Sequence, residues 1–282
     1  LEFALYFGLI LYMIARYSNV DLDEDRRPRR LPDRIPVVET PRDPAVLLPD
    51  DATLPQPIGR VNVELENEAQ NSVGTAFAVD SEGTFVTARH VVDGCDALYF
   101  TRARGGYDQI ELASKERNRD FAVVSSSRTS RIHFKLTDLP LPRGSEGFMM
   151  GYPQGKPADV RATVIGKTEM RSSGRYRMRE PVIAWVERER RPGFGGSLGG
   201  ISGGPVFDAN GNVVGTVVAG APRRGRVYTT HPRVFEETQL VEESMEGRTP
   251  NLADGITARN FDSIGRSLRA SGAIKQVVCA VS

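Results

Sequence analysis

Histidine and cysteine are scarce in this chain, with three of the one and two of the other among 282 residues. Neither falls at a metal-ligand spacing such as Cys-x-x-Cys or His-Glu-x-x-His, so no metal site and no other cofactor is expected. An excess of one charge is missing too. The 37 basic and 36 acidic residues leave a formal net charge of +1, which provides no overall field to draw in nucleic acid or another polyanion. The composition of a helical bundle is equally absent. Apolar residues make up 39%, with 28 glycines and 18 prolines, as suits a turn-rich β protein. The length fits one large or two small domains with ample core.

One run is apolar enough to enter a membrane. Residues 1–17 are broken only by Glu2 and Arg16. A bilayer-spanning helix takes about 20 apolar residues, so the run reads as a membrane-anchor helix, cut slightly short. A leftover signal-peptide core and a helix packed on a membrane-protein partner are the other readings. Arg16 near the end of the run and Arg26, Arg27, Arg29 and Arg30 just downstream of it would by the positive-inside rule alone place the rest of the chain in the cytoplasm. Residues 18–59 hold eight prolines between Pro28 and Pro57 and no sustained apolar period. They read as a semi-extended tether, or as a strap docked through Val37-Val38 and Val46-Leu47-Leu48.

From Val61 the pattern changes to short apolar runs separated by turn residues. Val61–Leu65 alternates strictly, and Gly74–Val79, Thr84–Thr87, Ala97–Phe100, Phe121–Val124, Gly147–Gly151, Val160–Ile165, Val182–Val186 and Val213–Val218 are further strand candidates. Many short strands of this kind predict an all-β barrel or sandwich. Residues 60–240 form the main domain in this reading. Residues 241–282 are a C-terminal extension, in which Ile256–Leu268 has helical spacing and Ile274–Val281 reads as a closing strand.

The chemistry concentrates in Gly200-Ile201-Ser202-Gly203-Gly204-Pro205-Val206. A serine hydroxyl is a weak nucleophile. Glycines around it leave backbone N–H groups free for an oxyanion and let a substrate carbonyl come close. Upstream, His90 comes after the apolar run Thr84–Thr87, and Asp120 opens the run Phe121–Val124. The order His, Asp, Ser is one of the known arrangements of a nucleophilic triad. Five segments stand in sequence: GTAFAV at Gly74–Val79, TARHVV at Thr87–Val92, DFAVV at Asp120–Val124, GYPQG at Gly151–Gly155 and SGGPV at Ser202–Val206.

On those segments the chain resembles the trypsin-like serine proteases, most of all their bacterial high-temperature-requirement branch, over roughly residues 58–240. The resemblance implies two antiparallel six-stranded β-barrels of the chymotrypsin type with the site between them, and a crossover near Thr137–Arg143. It implies a serine endopeptidase acting on protein or peptide substrates. His90 would be the general base, Asp120 its orienting partner and Ser202 the nucleophile, with the amides of Gly200 and Ser202 as the oxyanion hole. The base of the specificity pocket would be Gly196 and its wall Val218, Ala219 and Gly220, with no acid to favour Lys or Arg. Exported relatives favour a membrane-anchored domain on the periplasmic or extracytoplasmic side. The peptide-binding module common in that branch is not expected within residues 241–282. The family usually has Asn or Asp where Ile201 stands, and a catalytically quiet scaffold protein of a membrane complex is the alternative. Cys95 and Cys279 are candidates for one disulfide pinning the C-terminal strand to the first barrel, or else two buried thiols. Arg175, Arg177 and Arg179, alternating along the chain, read as one charged sheet face.

Overall fold

Strand pairing divides the chain into two β-structures. The computed structural model describes residues 57–221, 225–240 and 255–282. The membrane-anchor span, the tether up to residue 56, and Arg223 and Arg224 lie outside the described residues. Among those described, no helix is long and apolar enough to cross a membrane.

The first structure is a closed barrel of six strands. Five come from the first half of the chain: β2 (Ser72–Ala78), β3 (Thr84–Thr87), β4 (Ala97–Thr101), β5 (Tyr107–Lys115) and β6 (Ala122–Ser125). The sixth is β13 (Ile274–Ala280), which lies between β2 and β4 and closes the ring. The interior is filled from alternate positions, with Phe85, Phe100, Val124 and Val277 all fully buried. The rings of Phe85 and Phe100 meet edge to face at 4.9 Å, an arrangement aromatic quadrupoles favour.

The second structure contains β7 (Glu146–Gly151), β8 (Ala158–Ser173), β9 (Met178–Arg191), β10 (Pro205–Phe207), β11 (Val213–Ala221) and β12 (Arg226–Thr230). They run in the order β8-β7-β10-β11-β12-β9, and β8 also pairs with β9, so the ring returns on itself. Here the expectation of antiparallel strands alone is corrected. A seventh strand, β1 (Pro57–Glu64), lies parallel to β8, with Val61 opposite Met170 and Val63 opposite Ser172. The cause is a difference in length. The 16-residue β8 outruns the six-residue β7, and β1 covers the edge left open, whose backbone groups need partners.

A layer of aromatics joins the two structures. Phe134 packs edge to face on Phe207 at 4.9 Å, Phe121 on Phe235 at 5.9 Å, and Phe148 lies 5.8 Å from Phe261. A short helix, Phe261–Ala270, delivers the chain to β13. It starts later than the sequence pattern predicts, because Asn260 Oδ1 accepts the Thr257 N–H and fixes a turn before it. Ile256, counted there as a helix position, is instead buried among the aromatics. A buried fork fastens the helix to β8. Arg269 Nη1 and Nη2 donate to Asp159 Oδ1 and Oδ2 at 2.5 and 2.8 Å. Gly265 makes room for that carboxylate, since a Cβ there would fall 2.4 Å from both of its oxygens.

The sulfurs of Cys95, just past the helical turn Arg89–Val92, and Cys279 in β13 are bonded across 184 positions of sequence. In the chain-entropy account a loop of this length constrains the unfolded state by up to about 5 kcal/mol. Replacing both cysteines by alanine is expected to cost about 2–5 kcal/mol in urea unfolding. An unchanged midpoint would show that the bond adds nothing to stability.

Candidate active site

Register brings His90 and Asp120 together. Thr87, at the end of β3, pairs with Ala122 at the start of β6, so the residues just beyond each strand meet at one end of the first barrel. The His90 N–H donates to Asp120 Oδ1 at 2.8 Å, and His90 Nδ1 lies 2.6 Å from Oδ2. The carboxylate is 3% exposed. Burial disfavours the imidazolium, but the adjoining Asp120 charge outweighs it, so the His90 pKa lies above its ordinary value; Arg175 works in the opposite direction.

A second group of residues, from the stretch whose alternating arginines read as a charged sheet face, surrounds this pair. The turn between β8 and β9 reaches across from the second structure. Arg175 Nη2 donates to the His90 carbonyl at 3.0 Å and Nη1 to the Asp93 carbonyl at 2.7 Å. The Tyr176 hydroxyl donates to Asp120 Oδ1 at 3.4 Å, and the Arg89 guanidinium covers the Tyr176 ring at 3.9 Å. Burial and the Asp120 charge hold the Tyr176 phenol protonated. Glu180 Oε1 accepts the Asp120 N–H at 3.1 Å. Glu180 is 1% exposed, and its Oε2 has no hydrogen-bond partner. Burial, then the neighbouring Asp120 charge, pushes its pKa up to about 8. In sequence it sits in Arg177-Met178-Arg179-Glu180-Pro181, where charged neighbours hide a buried carboxyl.

Ser202 stands on the second structure, at the turn that leads into β10. Its carbonyl accepts the Thr75 N–H at 2.8 Å. The Thr75 hydroxyl donates to the Gly200 carbonyl at 2.8 Å and accepts the Tyr152 N–H at 3.1 Å. Two glycines are required here. Gly203 has φ +86°, and a Cβ on it would lie 2.1 Å from the Thr75 carbonyl oxygen; Gly200 has φ +99°, and its Cβ would lie 2.5 Å from the Tyr152 oxygen. Gln154, at φ +54°, props the approach to this loop. Its N–H donates to the Gly199 carbonyl at 2.5 Å, and its Nε2 to the Gly195 and Ser197 carbonyls, each at 2.9 Å.

Three features bear on chemistry. The N–H groups of Gly200 and Ser202 have no acceptor among the described residues, so both remain available to an incoming oxygen. The side chain that departs from the family pattern, Ile201, is 1% exposed and buried with Leu198, Val206 and Val217 in the core of the second structure. An apolar anchor thus holds the loop where a polar side chain usually stands. No hydrogen bond joins Ser202 Oγ to His90 among the described residues.

Beside Ser202 lies a cavity of about 100 Å³ lined by Ser197, Leu198, Gly199, Ile201, Val217, Ala219 and Gly220. Two of the expected pocket residues do not line it. Val218 belongs instead to the buried cluster that includes Met170, Val182 and Tyr228, at a register irregularity of β11 between Val217 and Ala219; Val217 lines the cavity in its place. Gly196 stands off the cavity, with its carbonyl accepting from Arg190 Nη1 at 2.9 Å. His231, another of the three histidines, is 8% exposed. Burial, then the nearby Lys167 and Arg233 charges, lowers its pKa to about 4.

Two β-structures, the first carrying a histidine–aspartate pair and the second a glycine-framed serine, make up the candidate site. The family model of the trypsin-like peptidase domain matches residues 74–215, half of the sequence. The chain therefore belongs to the trypsin-like peptidase family. It is similar to a probable periplasmic serine endoprotease, DegP-like, of Halomonas elongata, at 24% identity over 163 residues, covering 57% of this chain and 32% of the relative. The chain thus spans about a third of that curated relative's length. Similar solved structures include the active form of the Rv3671c protease of M. tuberculosis, with 16% identity, covering 63% of this chain and 80% of that one at a TM-score of 0.47. The HtrA-type protease AlgW shares 18% identity, covering 61% and 52% at 0.47. The MamO protease domain of Magnetospirillum magneticum shares 17%, covering 59% and 94% at 0.47.

The Glu180 carboxyl has a consequence for stability. Its pKa rises from 4.5 to about 8 on folding, so the native state binds the proton more tightly. Stability attributable to this group is complete below pH 4.5, falls as pH rises from 4.5 to about 8, and then levels. Urea unfolding across that range should show a decline in the wild type that Glu180→Gln flattens. Parallel declines in both would remove Glu180 as the cause.

Proposed function

We propose that the chain is a serine endopeptidase with His90, Asp120 and Ser202 as its triad. The observation that carries this reading is the pair of acceptor-free amides, Gly200 and Ser202, on a glycine-framed serine turn, together with a histidine held on a buried aspartate. Ser202 Oγ attacks the scissile carbonyl carbon as His90 Nε2 takes its proton. The tetrahedral oxygen accepts from both amides, each donor contributing about 3 kcal/mol to the barrier reduction. His90 then protonates the leaving amine as the C–N bond breaks, leaving an acyl group on Ser202. Water, deprotonated by His90, releases it. Asp120 fixes the imidazole tautomer throughout, and Glu180 and Tyr176 fix Asp120. In the free site the serine–histidine bond is open, which is common before substrate binds.

The cavity beside Ser202 supports a preference for small apolar side chains at the cleaved residue. At about 100 Å³ it holds the equivalent of about three waters, and no ionisable side chain lines it. The disulfide and the periplasmic relative support a position outside the cytoplasm, where disulfides persist. Residues 1–17 would then anchor the domain in the membrane. The open serine–histidine bond is also what a catalytically quiet scaffold would show, so the decisive measurement is reactivity at Ser202.

A fluorophosphonate probe is expected to label Ser202. Ser202→Ala abolishes labelling, and His90→Ala slows it by about 10³-fold or more. Because the base must be neutral, the labelling rate should climb with pH through a midpoint above the ordinary histidine value of 6.5. An unlabelled wild type at every pH would favour the scaffold. Digestion of a peptide library should give cleavage after alanine and other small residues; cleavage concentrated after Lys or Arg would contradict the pocket reading.

A further inference from the structure

A second concavity, of about 750 Å³, lies between the turn joining β4 to β5 and the end of the helix Phe261–Ala270. Five cations line it, Arg102, Arg104, Arg128, Arg269 and Lys275, and Asp108 is the one acid among its described lining residues. The pairing inside is lopsided. Arg102 and Arg128 both lean on the same Asp108 oxygen, at 2.6 and 2.8 Å, and Arg269 is committed to Asp159. Arg104 is exposed, and neither it nor the Lys275 amine has a hydrogen-bond acceptor among the described residues. Lys275 is the more telling of the two. Its amine sits 5.7 and 5.2 Å from the ring centroids of the fully buried Phe85 and Phe100, and burial holds its pKa down. A half-buried amine without an acceptor carries a desolvation cost that an incoming anion removes.

The groove's size suits several residues of a ligand, and guanidinium forks match carboxylates in shape. The near-balanced charge of the whole chain, +1, gives no extended field for a nucleic acid. We propose that this groove binds an acidic stretch of polypeptide, with one carboxylate on the Lys275 amine and its neighbours on Arg104 and Arg102. The groove also touches the nucleophile loop's support. Tyr152 and Gly155 line it, the Gln276 Nε2 donates to the Gly155 carbonyl at 3.2 Å, and Gln154 between them props the Gly195–Gly199 stretch. An occupant therefore bears on the turn that positions the Gly200 amide. That coupling rests on the reading of Ser202 given above; binding in the groove does not.

The test uses the full chain carrying Ser202→Ala and a fluorescein-labelled hexaglutamate peptide, monitored by fluorescence anisotropy. Saturable binding that weakens as salt rises is expected, with no binding of hexaserine. Lys275→Met and Arg104→Ala together should weaken it about tenfold or more, while Arg188→Ala, on an unrelated exposed position, leaves it unchanged. Equal affinity in the double variant, or equal binding of hexaserine, would overturn the proposal. So would inorganic tripolyphosphate binding more tightly than the peptide through the same two residues, since the site would then be a phosphate site. In the chain with Ser202 intact, hexaglutamate should change the fluorophosphonate labelling rate, and Lys275→Met should abolish that change. An unchanged rate would overturn the coupling alone. Absence of any labelling would strike the protease reading and leave the anisotropy result standing.

Discussion

Thr75 is the residue through which the two halves of the site are fixed to each other. It is fully buried on a strand of the first barrel, yet all of its polar groups serve the other structure or its own neighbour strand. Its N–H holds the Ser202 carbonyl, its hydroxyl bridges Gly200 and Tyr152, and its carbonyl accepts the Thr87 hydroxyl at 2.7 Å. Each bond adds only about 0.5–1.5 kcal/mol net, but breaking the set would strand buried partners at about 1–3 kcal/mol each. The geometry of the serine relative to the histidine is therefore inherited from the position of β2. That strand in turn is set by β13, which places Gln276 opposite Thr75, and by β3 on its other side.

The histidine half is enclosed in a different way. Asp120 receives the imidazole from one side, the Tyr176 hydroxyl from a second and a neutral carboxyl behind its own amide from a third. A protonated Glu180 accepts a backbone hydrogen bond without adding charge beside Asp120. An ionised one would set two carboxylates against each other, with Arg119 as the nearby cation and Glu237 a further acid. The arrangement keeps a single negative charge next to the imidazole, which is the condition for holding one tautomer.

How much of this is legible in the sequence depends on where the apolar signal falls. Thr84–Thr87 reads with its observed limits, because each of its buried positions is apolar or paired and turns flank it. His90, Asp120 and Ser202 stand out because short motifs surround them. Strand β5 leaves almost no mark: eight of its nine positions escape full burial, so neither face writes a hydrophobic period. Strands β8 and β9 are legible only at their apolar centres, since their outer halves alternate with Arg, Glu, Thr and Ser. The turn between them carries Arg175 and Tyr176, whose side-chain hydrogen-bond partners lie more than 50 residues away. No local pattern records such contacts. The Val217-for-Val218 exchange in the cavity falls at the register irregularity of β11, which spacing from the serine does not reveal.

Chain order and spatial order disagree at the two ends. The first described strand lies on the second structure, and the last lies inside the first barrel. A ribosome emits the chain in one direction, so the strands that flank His90 and Asp120 emerge early with a gap between β2 and β4. That gap is filled only when the residues up to Ala280 are free to fold. The nucleophile loop, for its part, takes its seat on Thr75 of the gapped barrel. A nascent chain thus holds His90, Asp120 and Ser202 before β13 completes the barrel that carries the first two. Closure of the first barrel therefore waits on a strand that follows all three of these residues in the chain.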